Sequence, residues 1–445
     1  MRRPRPSASH GPEQASRREF LKRSAAAGAA GLGVLTAGRA AHAAGSQTIR
    51  FGLIGCGGRG SGAAGNAMNA GKDVKLVAMG DVFEDRLTGA LARLKQSHPD
   101  QVAVEKDCCF VGFDAYQKVL QSGIDVAVIA TASHFHPAIL QAAVGAGKHV
   151  FCEKPHAVDV PGLKMAMAAG EEARKKGLSL VSGLCWRYDA AVRQTIQRVL
   201  DGAIGQIVAV QETYITSPYG LVPRKAGWTE MEYQMRNWYH FNWTSGDQTG
   251  QQLIHSIDKA SWALGDKPPK KAWGIGGRQV CVEPQYGDQF DHHAVVFEYA
   301  DGVRVYGYCR DQPGCYNETS DLIFGTKGRA FLPVRCRIEG QNPWRYQDPK
   351  DQPKTSMYDQ EHRELFEAIR SGKPLNNADY MFTSTMLGIL AQMVCYTGQE
   401  ITWEQAMDSK LVLAPARYAW DADPPVQPDP DGRYPCAMPG VTKMR

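Results

Sequence analysis

The sequence predicts an α/β chain. A doubly wound parallel sheet comes first, and an α+β region built on a large, open, mainly antiparallel sheet follows. Three observations carry this reading. An apolar run, Ile49 to Ile54, leads straight into glycines 55, 57 and 60. Strand-like and helix-like segments then alternate as far as Ser182, the pattern of a parallel sheet with helices on both faces. After residue 183 the strands lengthen and follow one another across short turns such as Ala300-Asp301-Gly302, as antiparallel strands do.

Residues 1–43 stand apart. Ser16-Arg17-Arg18-Glu19-Phe20-Leu21-Lys22 reads as a twin-arginine export signal, followed by an Ala/Gly/Leu stretch and by Ala41-His42-Ala43 as a cleavage site. The hydrophobic stretch is too short and too glycine-rich to stay as a membrane span. The mature chain is therefore expected to be soluble and periplasmic or otherwise extracytoplasmic, after passage through the twin-arginine export machinery. Charge agrees: this segment holds seven arginines and one lysine against two glutamates, so the whole of the chain's formal net charge of +5 leaves with it. A near-neutral remainder implies no nucleic-acid or membrane partner.

The first domain is expected over residues 44–182. In G-x-G-x-x-G, Gly55 permits the tight turn, Gly57 lets backbone approach a pyrophosphate, and Gly60 lets the next helix pack close to the strand. A second strand ends at Asp81, 21 residues after Gly60, where a carboxylate can take a ribose diol and repel a 2′-phosphate. These residues predict a dinucleotide-binding Rossmann domain that prefers NAD to NADP. Strands are expected at Lys75–Met79, Val126–Ala130, His149–Phe151 and Ser179–Ser182. Helices are expected at Ala63–Ala70, Asp85–Gln96, Tyr116–Gln121, Pro137–Ala146 and Leu163–Lys176.

The second domain is expected over residues 183–420, with strands at Gln206–Thr216, Lys271–Val282, His293–Tyr299, Val303–Cys309 and Thr319–Phe324 and helices at Tyr358–Arg370 and Asp379–Thr397. Residues 421–445 are Pro- and Asp-rich and should lie extended over a surface. The sheet's open face predicts a homodimer or homotetramer. The eleven cysteines include no C-x-x-C and no zinc-ligand spacing, so free thiols and no metal are expected. His292 and His293 could supply one metal ligand at most, because adjacent strand residues point to opposite faces.

Strand C-termini in such sheets face the ligand. The third apolar strand ends in Ala130-Thr131-Ala132-Ser133-His134-Phe135-His136-Pro137 and the next in Cys152-Glu153-Lys154-Pro155. A lysine there would be buried beside the reacting carbon, which lowers its pKa. Gly55, Cys56, Gly57, Gly58, Arg59, Gly60, Asp81, Thr131, His134, His136, Glu153 and Lys154 form the expected cofactor set.

Together with Gly246-Asp247, His255, Asp258 and Trp262-Ala263-Leu264-Gly265, these motifs resemble the Gfo/Idh/MocA oxidoreductases, two-domain enzymes of sugars, cyclitols and related polyols. The resemblance implies that Lys154 is catalytic and that a helix brings a D-x-x-x-H pair to the substrate, the histidine accepting a hydroxyl proton and the aspartate supporting it. That pair falls on Gln251 and His255. Residues i and i+4 share a helix face, but glutamine cannot offset imidazolium charge, so Lys154 would carry more of the proton transfer.

Arg187, Tyr188, Arg236, Asn237, His240 and His292 are the expected substrate contacts. Trp238 and Phe241 fit core packing as well as they fit a sugar face. The expected function is an exported NAD-dependent oxidoreductase of carbohydrate metabolism. Outside the cytoplasm it would keep its nicotinamide tightly bound. Two other readings compete: an NAD-dependent glycoside hydrolase that oxidises C3 transiently and eliminates the glycosidic bond, and a non-catalytic sugar-binding protein on a Rossmann scaffold.

Overall fold

A computed structural model describes residues 48–350 and 354–444. The expected export signal and its cleavage site lie outside the described residues.

The first sheet has six parallel strands in the order β3-β2-β1-β4-β5-β6. They are β1 (Ile49–Ile54), β2 (Val74–Asp81), β3 (Cys109–Val111), β4 (Val126–Ile129), β5 (His149–Cys152) and β6 (Leu180–Ser182). Every residue of β4 is buried, as a central parallel strand covered on both faces must be. The helices between them are α1 (Gly58–Asn69), α2 (Glu84–Ser97), α3 (Ala115–Gln121), α4 (His136–Gly145) and α5 (Val160–Lys176). Asp159 caps α5 by accepting from Gly162 N at 2.7 Å, and Gly177 ends it at φ +65°. The strand order reverses between β1 and β4, and a crevice opens there beyond the strand C-termini.

After α6 (Ala190–Leu200) comes the second sheet, of nine strands, in the order β14-β13-β12-β11-β7-β10-β9-β8-β15. β7 (Ile207–Ile215) leads into α7 (Glu230–Arg236) and α8 (Ile254–Ala263). The remaining strands are β8 (Lys271–Gly277), β9 (His292–Glu298), β10 (Arg304–Arg310), β11 (Glu318–Gly325), β12 (Gly328–Leu332), β13 (Arg337–Gly340), β14 (Trp344–Arg345) and β15 (Ile401–Thr402). Burial alternates strictly along β9, so His293, Val295 and Phe297 face the helices while the other face carries exposed residues such as Ile275. The sheet is antiparallel except at its centre, where β10 pairs parallel with β7. The chain leaves β7 for the helices and re-enters at β8, and two further reversals bring β10 beside β7 in the same direction.

The strand expected over 271–282 stops at Gly277, because the Asp291 carboxylate gathers the backbone N–H groups of Gln279, Val280 and Cys281 into a loop. These bonds hold Asp291 down to about 2. Strands β3 and β12 to β15 are too short or too mixed in polarity to stand out in the sequence. All eleven cysteines are free.

Residues 357–377, read in sequence as part of the second domain, pack on the first. Helix α9 (Met357–Arg370) lies against α1 and the ends of β5 and β6, and Asn66 donates to Asp359 at 2.7 Å. Helix α10 (Ala378–Thr397) is buried almost throughout, touching α5 on one side and α8 and β8 on the other. Residues 421–444 run without helix or strand.

Candidate active site

Two glycines of the turn, Gly55 and Gly60, stand where a side chain would collide with backbone. Gly55 has φ +96°, and a Cβ there would fall 2.5 Å from Ala130 O. A Cβ on Gly60 would fall 1.9 Å from Gly55 O, so helix and strand pack as closely as backbone permits. At Gly57 the nearest atom to such a Cβ is Arg86 Nη1 at 3.6 Å, which leaves that position open. Helix α1 begins there with no side-chain cap and no acid in its first turn. Its N–H groups are free to hold an anion. The turn borders a cleft of about 320 Å³ that Asp81, Phe83, Phe113, Thr131, Arg236 and Tyr239 also line. The open glycine and the uncapped helix suit a dinucleotide pyrophosphate.

Asp81 accepts from Cys56 N at 2.6 Å and Phe83 N at 2.8 Å. Burial raises its pKa, opposed by those bonds and by Arg86. Cys56 thus contributes its backbone, and its thiol turns inward to Gly80 O. The cleft is braced from the second domain. Arg236 on α7 pairs with Asp85 on α2 at 3.1 Å, and Arg86 donates to Arg236 O. The end of the second domain adds Trp420, stacked on Phe83 at 5.2 Å and tilted on Phe113 at 4.9 Å.

At the neighbouring strand end, Lys154 Nζ donates to the backbone carbonyl of Gln251 at 2.6 Å. Burial lowers the lysine's pKa against the pull of Glu153. Residues Thr249–Leu253 form a π turn ahead of α8, a distortion that frees carbonyls from the helical ladder and recurs at functional sites. One turn on, His255 is held well below the ordinary imidazole range by burial and then by Lys154 and Lys259. Its Nδ1 is buried without a hydrogen-bond partner among the described residues. Its ring lies over Tyr214 of β7, with centroids 6.3 Å apart and planes at 25°. Tyr219 and Trp238 each lie 4.1 Å from Tyr239, which lines the cleft.

Several expected contacts do something else. The Gln251 side chain does not face His255: its amide donates to Ser133 Oγ at 2.9 Å and to Ser245 O. Glu153 pairs with Arg59 at 2.8 Å and fits because residue 183 is glycine, where a Cβ would meet its carboxylate at 2.8 Å. It ties the β5 end to the glycine turn. The His136 ring is buried between Pro155 O and Thr131 O and kept uncharged, near 4, by burial. His134 shares a hydrogen bond with Tyr418, near the end of the second domain, at 2.7 Å. These two histidines hold the walls of the site and do not line the cleft.

The substrate set divides as well. Arg187 is buried in ion pairs with Asp258 at 2.8 Å and Asp266 at 2.6 Å. Tyr188 donates to Asn377 at 2.8 Å inside the core. His240 is buried and pushed to about 4. His292 lies on the sheet face opposite His293, away from α8. Only Arg236 and Asn237 of this set line the cleft, and Asn237 also accepts from Val222 N and donates to Gln285 O. Arg187 and Tyr188 follow a strand end, but burial with acidic and amide partners takes them out of reach. Tyr214 and Tyr219 give no sequence signal, because each is a single aromatic at a strand end or in a loop.

Residues 49–184 match the oxidoreductase family GFO_IDH_MocA, NAD-binding Rossmann fold. The likeness to that family lies in the first domain. The chain is 26% identical over 261 residues to inositol 2-dehydrogenase of Rhizobium meliloti, covering 58% of this chain and 68% of that one. It is 25% identical over 336 residues to inositol 2-dehydrogenase of Salmonella typhimurium, covering 74% and 88%. Among solved structures, levoglucosan dehydrogenase with NADH and levoglucosan superposes with a TM-score of 0.64 at 17% identity, over 81% of this chain and all of that one. Aldose-aldose oxidoreductase from Caulobacter crescentus superposes at 0.63 with 18% identity, over 80% and 100%. The chain thus joins a domain that matches the NAD-binding model of that family to a two-sheet architecture like that of those solved structures.

Proposed function

We propose that this protein is an exported, NAD-dependent oxidoreductase of a sugar, sugar derivative or cyclitol. The observation that carries the reading is the convergence of Lys154, from the end of β5, and His255, from α8, on one π turn beside the dinucleotide cleft. The nicotinamide would supply the hydride acceptor. His255, neutral and with a free ring nitrogen, would take the hydroxyl proton. Lys154, held on the Gln251 carbonyl, would orient the substrate oxygen and stabilise its developing charge. Tyr214, Tyr219 and Tyr239 offer ring faces and hydroxyls of the kind a carbohydrate needs. Asp81 favours NAD, since a carboxylate in that position repels a 2′-phosphate.

Export through the twin-arginine route would demand a retained cofactor. The Arg236–Asp85 pair and the Trp420 stack across the cleft walls support retention. The same enclosure favours a second reading, glycoside cleavage with transient C3 oxidation, in which the dinucleotide ends as it began. We further propose periplasmic residence and a homodimer or homotetramer formed through the open sheet face.

The test is to record NADH absorbance with cofactor-loaded protein across a panel of polyols, sugars and glycosides. Net NADH supports the dehydrogenase. Aglycone release with exchange of the C2 proton and no net NADH supports the glycosidase. Silence across the panel would sink both.

A further inference from the structure

Beneath His255 lies a charged cluster that hydride transfer does not require. Lys259 is 1% exposed, one helical turn beyond His255 on α8. Its Nζ donates to the His255 carbonyl at 2.6 Å and pairs with Asp321 at 3.0 Å. Asp321 on β11 stands directly across from Glu212 on β7, and both are wholly buried. Two carboxyls in register on adjacent strands lie close enough to repel. Burial and the facing Asp321 push the Glu212 carboxyl well up from its ordinary range.

The spacing explains why the cluster belongs to the site. Glu212 and Tyr214 lie two apart on β7, on one face and about 6.6 Å apart along the strand. His255 and Lys259 lie four apart on α8, about 6 Å along its axis. The repeats match, so strand and helix meet in two rungs. Tyr214 faces His255 in the upper rung, and Glu212 with Asp321 faces Lys259 in the lower. The lower rung fixes the height of the upper.

We propose that Lys259, clamped by Asp321 and Glu212, is a positioning residue for His255, setting the imidazole against Lys154 and keeping a cation beneath it. This rests on the reading of His255 as proton acceptor. The charged groups facing His255 are Lys154 from β5 and Lys259 from its own helix. Tyr214 is the titratable group facing it from β7, and Glu212 and Asp321 sit behind Lys259.

The test is a histidine NMR titration of the cofactor-loaded full chain, with the His255 signal assigned by its loss in His255→Asn. In Lys259→Met the imidazole should titrate higher by about one pH unit, and the low-pH limb of kcat should move up with it while KM for the dinucleotide holds. Lys259→Arg should restore the native titration. Lys259→Met/Asp321→Asn removes both charges and serves if the single variant does not fold. An unmoved His255 titration in either folded variant, with only a lower Tm, would overturn the proposal. Failure of both to fold would mark Lys259 as a folding residue and would also overturn it. If the titration moves while His255→Asn keeps full turnover, the proton-acceptor reading fails and the positioning role stands.

Discussion

Lys154 Nζ is bound to the backbone carbonyl of Gln251, not to a carboxylate. A carbonyl orients an ammonium without matching its charge, so the lysine stays easier to deprotonate than one in an ion pair. Lys154→Met should lower kcat by about 10²–10⁴-fold with dinucleotide affinity within a few-fold of native. Turnover assays and fluorescence titration of NADH separate the two effects.

Restoring the aspartate that the family resemblance implies at position 251 should not improve the enzyme. The Gln251 amide donates to Ser133 and to the Ser245 carbonyl. A carboxylate donates to neither, and against the carbonyl it is repelled. Gln251→Asp should cost about 1–3 kcal/mol of stability and leave kcat no higher, as thermal denaturation and steady-state rates will report.

The pH profile follows from His255. Burial, Lys154 and Lys259 all lower its pKa below the ordinary 6.5. A proton acceptor must be uncharged, so activity persists as pH falls past 6.5 and is lost only on reaching the depressed value. The low-pH limb of kcat for alcohol oxidation should therefore lie below that of a free imidazole. A limb at or above it would contradict the assignment.

Retention of the dinucleotide should depend on the brace across its cleft. Arg236→Ala removes the pair with Asp85, and Trp420→Ala removes the stack on Phe83. Each should raise the cofactor off-rate by about tenfold, roughly 1.4 kcal/mol. Native mass spectrometry of purified protein and stopped-flow release of NADH measure it.

Cofactor choice should turn on Asp81. Asp81→Ser removes the charge that repels a 2′-phosphate and leaves Arg86 in the cleft, so the NADP/NAD ratio of kcat/KM should rise. The same change weakens the bonds to Cys56 N and Phe83 N, lowering stability by about 1–2 kcal/mol.

The sequence by itself determined the local chemistry: the glycine turn from Gly55 to Gly60, Asp81 at the end of β2, Lys154 at the end of β5 and the alternation that makes the first sheet. Each of these depends on short-range rules, since a turn needs glycine where φ is positive, a helix start left uncapped attracts anions, and a buried parallel strand reads as an unbroken apolar run. Only the tertiary structure decided which polar residues reach the site. Arg187 was as good a sequence candidate as Arg236, but Asp258 and Asp266 neutralise the first in the core, while the second crosses to Asp85 at the mouth of the cleft. Tyr214 faces His255, and Lys259 meets Asp321, only because β7, β11 and α8 are brought together from segments far apart in the chain. Burial and long-range pairing set the charge and aim of a side chain, and no local pattern of residues encodes either.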